Sequence, residues 1–573
     1  MRNASKWIGI LVVLSFSTSP AASGPHPRRV GLRALSGREP LIAQGGAPER
    51  DSIRKEDLRA DLFFLAGDGM RGRLTGTPEN LLAADFIKSR FERLGLAPAG
   101  PESSYYQPYN LTAGSLGPHN QDNQLEIVEG ERSLKLQSVQ DFYPLRFSPS
   151  GQVRGGIVYA GFGITSASLG YDDYRGPSLA GKIVLALDHE PGERDPESPF
   201  DGAVTAEAAN VIRKTLAAQE RGAAAVLFVS DVHNHPGTSN FAQSAKGYWP
   251  DVPRRTPSFT LSAWAERVRI PALQISQATA SLLVRGTRKS LEELSRAAET
   301  PKGMTPMPIP GVEVRLSTGV SRLTFSDRNV VALLEGSDAQ LKDEWVVVCA
   351  HFDHDGADGT QIWNGADDNG SGTVALLEIA EAYALAARSG QRPRRSVLFA
   401  AWNSEERGLL GAWAYTEAPL HPLEKTVAVL NMDMIGRNEE VPEGGGARFR
   451  GLVQQTAESN RNTVNVMGFS RSPELTAILK KANDGIGLDL LMRYDNNPSN
   501  LVRRSDQWPF LQNGVPAVGF LTGLHPDYHT VFDRPEKINY DKMEKIARLV
   551  YQASRDLAQQ TGRPRLGAGA PTP

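Results

Sequence analysis

The chain predicts an α/β fold: a mixed, largely parallel central sheet between helix layers, with a smaller β-rich unit inserted ahead of most of it. Three observations predict this. From Arg328 onward, short apolar runs alternate regularly with amphipathic segments of helical period. The runs, such as WVVVCAH and RSVLFAAW, are apolar at nearly every position, as strands buried on both faces are. The middle of the chain, about 150–305, has a different rhythm, with fewer helices and charged, Pro-rich loops.

The elements follow in order. Apolar residues recur at helical spacing through LRADLFFLA (58–66), and again through NLLAADFIKSRFERLGL (80–96) after the turn-like GRLTGTP, so two amphipathic helices open the folded part. Residues 123–160 alternate as strands do. The middle then offers strands at GKIVLAL, AAAVLFVS and IPALQIS, with a helix over AANVIRKTLAAQERG. The Pro-rich TPKGMTPMPIPG (300–311) reads as a hinge. Beyond it, strands are expected at NVVALLEG, WVVVCAH, RSVLFAAW, TVAVLNMDM and VPAVGFLTG. Helices are expected at SGTVALLEIAEAYALAAR, RGLLGAWAYTEA, SPELTAILKKAND and DKMEKIARLVYQASRDLAQQ. There is no internal repeat.

The 573 residues suffice for two or three domains with sizeable cores. The 63 basic and 65 acidic side chains form no long run of either sign, which gives no electrostatic case for a nucleic-acid or membrane-surface partner. The opening MRNASKWIGILVVLSFSTSPAASG has basic residues, an apolar stretch too short for a bilayer span and then small residues. This predicts a signal peptide over 1–23, export to the periplasm or beyond, and a mature protein without stable membrane insertion. Residues 24–50 read as a flexible leader and 563–573 as a loose tail. Between them the expected divisions are 51–149 and 306–562 for the main domain and 150–305 for the insert. Cys349, the only cysteine, reads as a small buried hydrophobe. Oligomeric state is not written in these residues.

Five stretches place His, Asp and Glu just after apolar runs: HFDH (351–354), GADDNGSG (365–372), NSEERGLLG (403–411), NMDMIGR (431–437) and HPDYHTVFD (525–533). A parallel sheet brings its strand ends to one edge, so distant residues converge there. His351 is a candidate ligand, and Asp353 could hold its ring. Adjacent Asp367 and Asp368 crowd two charges into a Gly-flanked turn, an arrangement that favours a cation, although Asn369 or Ser371 could simply cap the next helix. Of Glu405 and Glu406, one can bind metal while the other faces substrate as general base; in isolation they could equally be solvated glutamates of a helix's first turn. Asp433 lies in an apolar run where an unpaired carboxylate is costly. In the last stretch one of His525 and His529 should be a ligand, Asp533 could orient it, and Tyr528 could donate to an oxyanion. Oxygen and nitrogen donors in this ratio suit a two-zinc hydrolytic centre, with manganese or cobalt as alternatives.

In order, spacing and strand context these motifs resemble the co-catalytic zinc exopeptidases of metallopeptidase family twenty-eight, which includes secreted bacterial aminopeptidases and glutamate carboxypeptidase. The resemblance spans about 320–560 and the opening helices at 70–96. It implies a zinc exopeptidase-like, phosphorylase/hydrolase-like architecture with peptides or proteins as substrates. It makes His351 and Asp433 ligands of one zinc, Glu406 and His529 ligands of the other, and Asp368 the bridge. Glu405 becomes the general base, Asp353 a partner behind the ligands, and Tyr528 a support for the tetrahedral intermediate. It also implies a cis peptide after Asp368. The middle segment resembles a protease-associated domain, within which His189, His233 and His235 read as surface residues. Where many relatives carry a histidine, this chain has Gln507 in SDQWPF. Arg504 could position a substrate carbonyl or carboxylate. The expected activity is aminopeptidase. A carboxypeptidase or dipeptidase, a one-zinc glutaminyl cyclase and a metal-free receptor-like relative are the competing readings.

Overall fold

The computed structural model describes residues 49–116, 122–176, 178–193, 195–230, 232–234, 240–443, 449, 452–567. The expected signal peptide and nearly all of the leader lie outside the described residues.

The central sheet has ten strands and is mixed. Its middle is parallel: Ser396–Trp402, Trp345–His351, Thr426–Met432 and Ala517–Leu521 lie side by side in that order. Antiparallel strands flank this core: Val320–Leu334 pairs with Ser396–Trp402 on one side, and Thr463–Met467 with Ala517–Leu521 on the other. Side chains alternate across the sheet as the apolar runs require. Val346 and Val348 enter one core with the helices Lys55–Leu65, Pro78–Leu94, Gly372–Arg388 and Tyr540–Gln559, whereas Val347 and Cys349 face a second core with Trp413 and Phe510. Cys349 is a buried free thiol, as expected. No helix among the described residues is long and apolar enough to cross a membrane.

The chain runs outward on Tyr106–Leu116 and returns on Val320–Leu334. These strands pair antiparallel over eleven positions, from Leu116 opposite Val320 to Tyr106 opposite Val330. Between them lies a second, eight-stranded sheet. It reaches beyond the 150–305 segment read from sequence, taking in Gln124–Glu129, Arg132–Lys135 and Phe142–Pro144 before it and Met307–Thr318 after it. The Pro-rich stretch at 300–311 is therefore partly strand rather than hinge. Pro308 and Pro310 sit where the strand has a neighbour on one side only and its register shifts, so their missing N–H groups cost little. Val226 and Phe228 join the second core of the central sheet, while Leu227 and Val229 face a third core on the far side. His189, expected at the surface, is buried edge-on against Phe162. His233 lies 3.0 Å from Glu299, and His235 lies outside the described residues.

Candidate metal centre

The four parallel strands deliver their carboxyl ends to one edge, where chain order reverses across the sheet: from Trp345–His351 the next strand lies to one side and the one after it to the other. His351 ends its strand, Glu405 and Glu406 follow Trp402 by three and four residues, and Asp433 follows Met432 directly. His529 sits in the loop after Ala517–Leu521. Asp367 and Asp368 lie in the tight turn that opens the helix Gly372–Arg388. The Asp368–Asn369 peptide is cis. Ser404, Leu409, Met434 and His529 all have positive φ, a concentration of backbone strain around one site.

Asp368 lies between two groups. One carboxyl oxygen is 3.5 Å from His351 Nε2 and the other is 2.9 Å from His529 Nε2. On the His351 side, Asp433 Oδ1 is 3.4 Å and Glu405 Oε2 3.7 Å from the same Nε2. On the other side, Glu406 Oε2 is 3.3 Å from His529 Nε2. Ligands of a tetrahedral zinc at about 2.0–2.1 Å stand roughly 3.4 Å apart, so these separations fit a cation within each group. The donor set of imidazoles and carboxylates fits zinc, manganese or cobalt.

Carboxylates outnumber cationic side chains here, and the site shows the tension. Burial, then repulsion from Glu406, raises Asp368 to about 6. Burial, with Asp433 adding to it, raises Glu405 well above the carboxylate range despite the opposing pull of His351. For Glu406 burial pulls upward, but the neighbouring His529 and His354 win and lower it to about 2. His351 and His529 are raised because nearby carboxylates outweigh the burial that opposes their charge. Divalent cations would relieve this surplus of negative charge.

The supporting residues only partly match expectation. Asp353 stands behind His351, whose Nδ1 is 3.7 Å from its Oδ1, and it also accepts the backbone N–H groups of Glu405 at 2.9 Å and Glu406 at 3.3 Å. Asp533 was expected to orient a histidine. It instead accepts the N–H groups of Asp367 at 3.0 Å and Asp368 at 3.1 Å, because the turn presents two unpaired donors to it. His525 Nε2 is 3.2 Å from Asp367 Oδ2 and stays off the Asp368 axis. Arg504 donates to the Tyr528 hydroxyl at 3.0 Å, and both line a cavity of about 360 Å³ above Asp368, Glu405 and Asp433. Gln507 binds Asn431 and the Val502 carbonyl beneath the site.

Several residues escaped the sequence reading. His354 Nδ1 lies 2.7 Å from Glu406 Oε1 and 3.9 Å from Asp368 Oδ2. Asp355 Oδ2 lies 3.3 Å from His529 Nδ1. Asp506 is fully buried with neither carboxyl oxygen hydrogen-bonded, and burial raises it well above the usual range. Arg73, also fully buried, donates to the carbonyls of Leu65, Phe352, Asn364 and Gly365, tying the His351 loop to the Asp368 turn. The second histidine three places after the first in HFDHD was the signal for His354; nothing in sequence marked Arg73.

Residues 329–554 match the profile of peptidase family M28. A probable glutamate carboxypeptidase, AMP1, of Arabidopsis thaliana is 26% identical over 490 residues, covering 80% of this chain and 61% of that protein. Leucine aminopeptidase 2 of Trichophyton equinum is 28% identical over 219 residues, 37% of this chain and 38% of that one. The chain thus spans about three fifths or less of the length of these curated relatives. Among solved structures, the aminopeptidase from Aneurinibacillus sp. strain AM-1 aligns over 92% of this chain and 98% of its own, at 18% identity and a TM-score of 0.46. The motifs, their strand context and the profile agree over residues 329–554, the part of this chain that is similar to peptidase family M28.

Proposed function

We propose that the protein is a zinc-dependent exopeptidase acting on peptides or proteins, with removal of N-terminal residues as its principal activity. The observation that carries this reading is Asp368, whose two carboxyl oxygens each face a different histidine, with a further carboxylate beside each. His351 and Asp433 would hold one ion, Glu406 and His529 the other, and Asp368 both. When bound, two zinc ions, or manganese or cobalt in their place, polarise the scissile carbonyl and acidify water.

Glu405 takes the proton from the attacking water and returns it to the leaving amine. Its carboxylate lines the cavity with Oε2 3.7 Å from His351 Nε2, which places it to pass the proton from the attacking water to the leaving amine. The Tyr528 hydroxyl, at the cavity wall and steadied by Arg504, donates to the oxyanion that forms on the substrate carbonyl. The carboxylates at the floor give an N-terminal ammonium a counter-charge, and one relative carries the name leucine aminopeptidase.

One observation favours a second reading. Arg503 and Arg504 line the same cavity, and a carboxypeptidase or dipeptidase needs cationic groups for a terminal carboxylate. Arg503 is already 3.5 Å from Glu207, which leaves Arg504 the better placed. Hydrolysis of matched peptides blocked at either terminus separates the readings. Cleavage that survives a blocked C-terminus and stops with a blocked N-terminus supports the aminopeptidase; the reverse pattern replaces it.

The test of the chemistry is Glu405→Gln, expected to keep metal content and lose about 10²–10⁴-fold in kcat. Normal turnover would remove Glu405 from its role. One zinc per chain with cyclisation of N-terminal Gln would instead indicate a glutaminyl cyclase, and absence of metal binding a receptor-like relative. We further propose export, on the N-terminal pattern, and a protease-associated identity for the inserted β-rich segment, on its place ahead of the catalytic strands.

A further inference from the structure

We propose that Asp355 is a positioning residue for His529 and that Arg255, which reaches in from the inserted segment, holds Asp355 in place, so that the insert supports one half of the metal centre. The inference rests on the reading of His529 as a ligand.

His529 needs holding. His351 is fully buried at the end of a strand with neighbours on both sides, but His529 lies in a loop, half-buried and at positive φ. Its Nε2 is the atom that faces Asp368 and Glu406, which leaves Nδ1 to fix the ring. Asp355 Oδ2 stands 3.3 Å from that Nδ1. An Nδ1–H donated to a carboxylate sets the tautomer and aims the Nε2 lone pair at a cation.

The carboxylate is itself fixed from two sides. Arg407 Nη2 donates to Asp355 Oδ1 at 2.7 Å, and Arg255 Nη2 lies 3.5 Å from Oδ2. Arg255 also donates to the Asp355 backbone carbonyl, and its guanidinium lies 3.6 Å from the centre of the Trp363 ring. Two guanidinium groups on one buried carboxylate leave it little rotational freedom. Arg407 belongs to the glutamate turn itself, whereas Arg255 precedes Asp355 by 100 positions and lies in the loop between Phe241–Tyr248 and Thr260–Leu261. The insert therefore reaches the candidate metal centre: one of its side chains completes the chain of polar contacts Arg255–Asp355–His529.

The path predicts a selective effect. Removing it should weaken one ion and spare the other, since the partners of His351 do not include Asp355 or Arg255. The experiment uses the full chain, stripped and reloaded with zinc or cobalt. Chelator competition gives the two affinities, and the visible absorption of cobalt added as the second ion reports its ligand geometry. Asp355→Asn and Arg255→Ala should each keep the wild-type affinity of the tighter ion. The second ion should bind about 10–100-fold more weakly in Asp355→Asn, less so in Arg255→Ala, with a shifted cobalt band in both. Thermal midpoints of the metal-free proteins verify folding; should Asp355→Asn not fold, the more accessible Arg255→Ala carries the test. Wild-type affinities and an unchanged cobalt spectrum in both variants would overturn the proposal, and an effect in Asp355→Asn alone would remove the insert from it. A wild-type chain that binds two ions and cleaves peptides while both variants behave identically refutes only this inference. A wild-type chain that binds none refutes the proposed function itself.

Discussion

The two sides of Asp368 are built differently. The His351 side consists of residues that end buried strands or follow them within three positions, and its members, His351, Glu405 and Asp433, are nearly inaccessible. The Glu406 and His529 side leans on loops, on a second histidine, on an aspartate outside the ligand set and on an arginine from the inserted segment. The first half inherits its geometry from the sheet; the second must be assembled from parts that no single element fixes. The difference teaches that a cluster of imidazoles and carboxylates can be rigid on one side by topology and on the other only by polar contacts.

The largest expected effect comes from the residue common to both halves. Asp368→Ala should lower metal content on both sides and cut hydrolysis by more than about 10²-fold, as read by elemental analysis and peptide turnover. Retention of either ion at full affinity would show that the halves do not share it. Next, His351→Ala and His529→Ala should each cost one ion, but not equally in stability. Deleting the buried His351 leaves Glu405 and Asp433 facing each other and should cost about 3–5 kcal/mol in the metal-free protein. The partly exposed His529 should cost less than half of that, and equal losses in denaturant titrations would erase the contrast drawn above.

His354→Asn should be milder still. It frees Glu406 Oε1 and should weaken only the second ion, about tenfold, leaving the first untouched in chelator competition. The smallest effect on the site is none at all, from a buried acid outside it. Glu190, in the insert, is raised to about 8 by burial, against which the Ala206 N–H, Lys214 and Arg503 pull downward. Because the folded pKa exceeds the ordinary value of 4.5, the folded state holds a proton between pH 4.5 and 8 that the unfolded chain has released, so stability falls as pH rises through that window. Glu190→Gln should flatten that fall, by no more than about 1.4 kcal/mol per pH unit, with metal content unchanged. Urea midpoints at pH 5 and pH 8 measure it.

The same division governs what could be read in the sequence. The four parallel strands were legible because each is apolar at nearly every position, and the residues after them were legible because strand ends converge on one edge. Thr463–Met467 was not read: it is short, carries a buried Asn465 and owes its place to antiparallel pairing with a strand more than fifty residues later. Asp355 could not be assigned, since its value depends on Arg255 and His529, which come from distant loops. Asp533 was singled out for its nearness to His529 in sequence, yet spatially it serves the aspartate turn. Met307–Thr318 was obscured by its prolines, which signal a break unless the pairing on each side is known.

The paired strands Tyr106–Leu116 and Val320–Leu334 carry one more consequence. Leu116 and Val320 sit opposite each other, so the polypeptide departs from the central sheet and rejoins it at the same spot. A shortened gene joining these two points through a tight hairpin turn would keep the pairing of the central sheet except for the short edge strand Thr260–Leu261, which lies in the insert and pairs with Leu111 and Thr112. It would also strip the cover from an oily surface now shared by Val226, Phe228, Trp413 and Leu398. By wiring the insert is detachable, and by packing it is not: the truncated protein should fold and then clump.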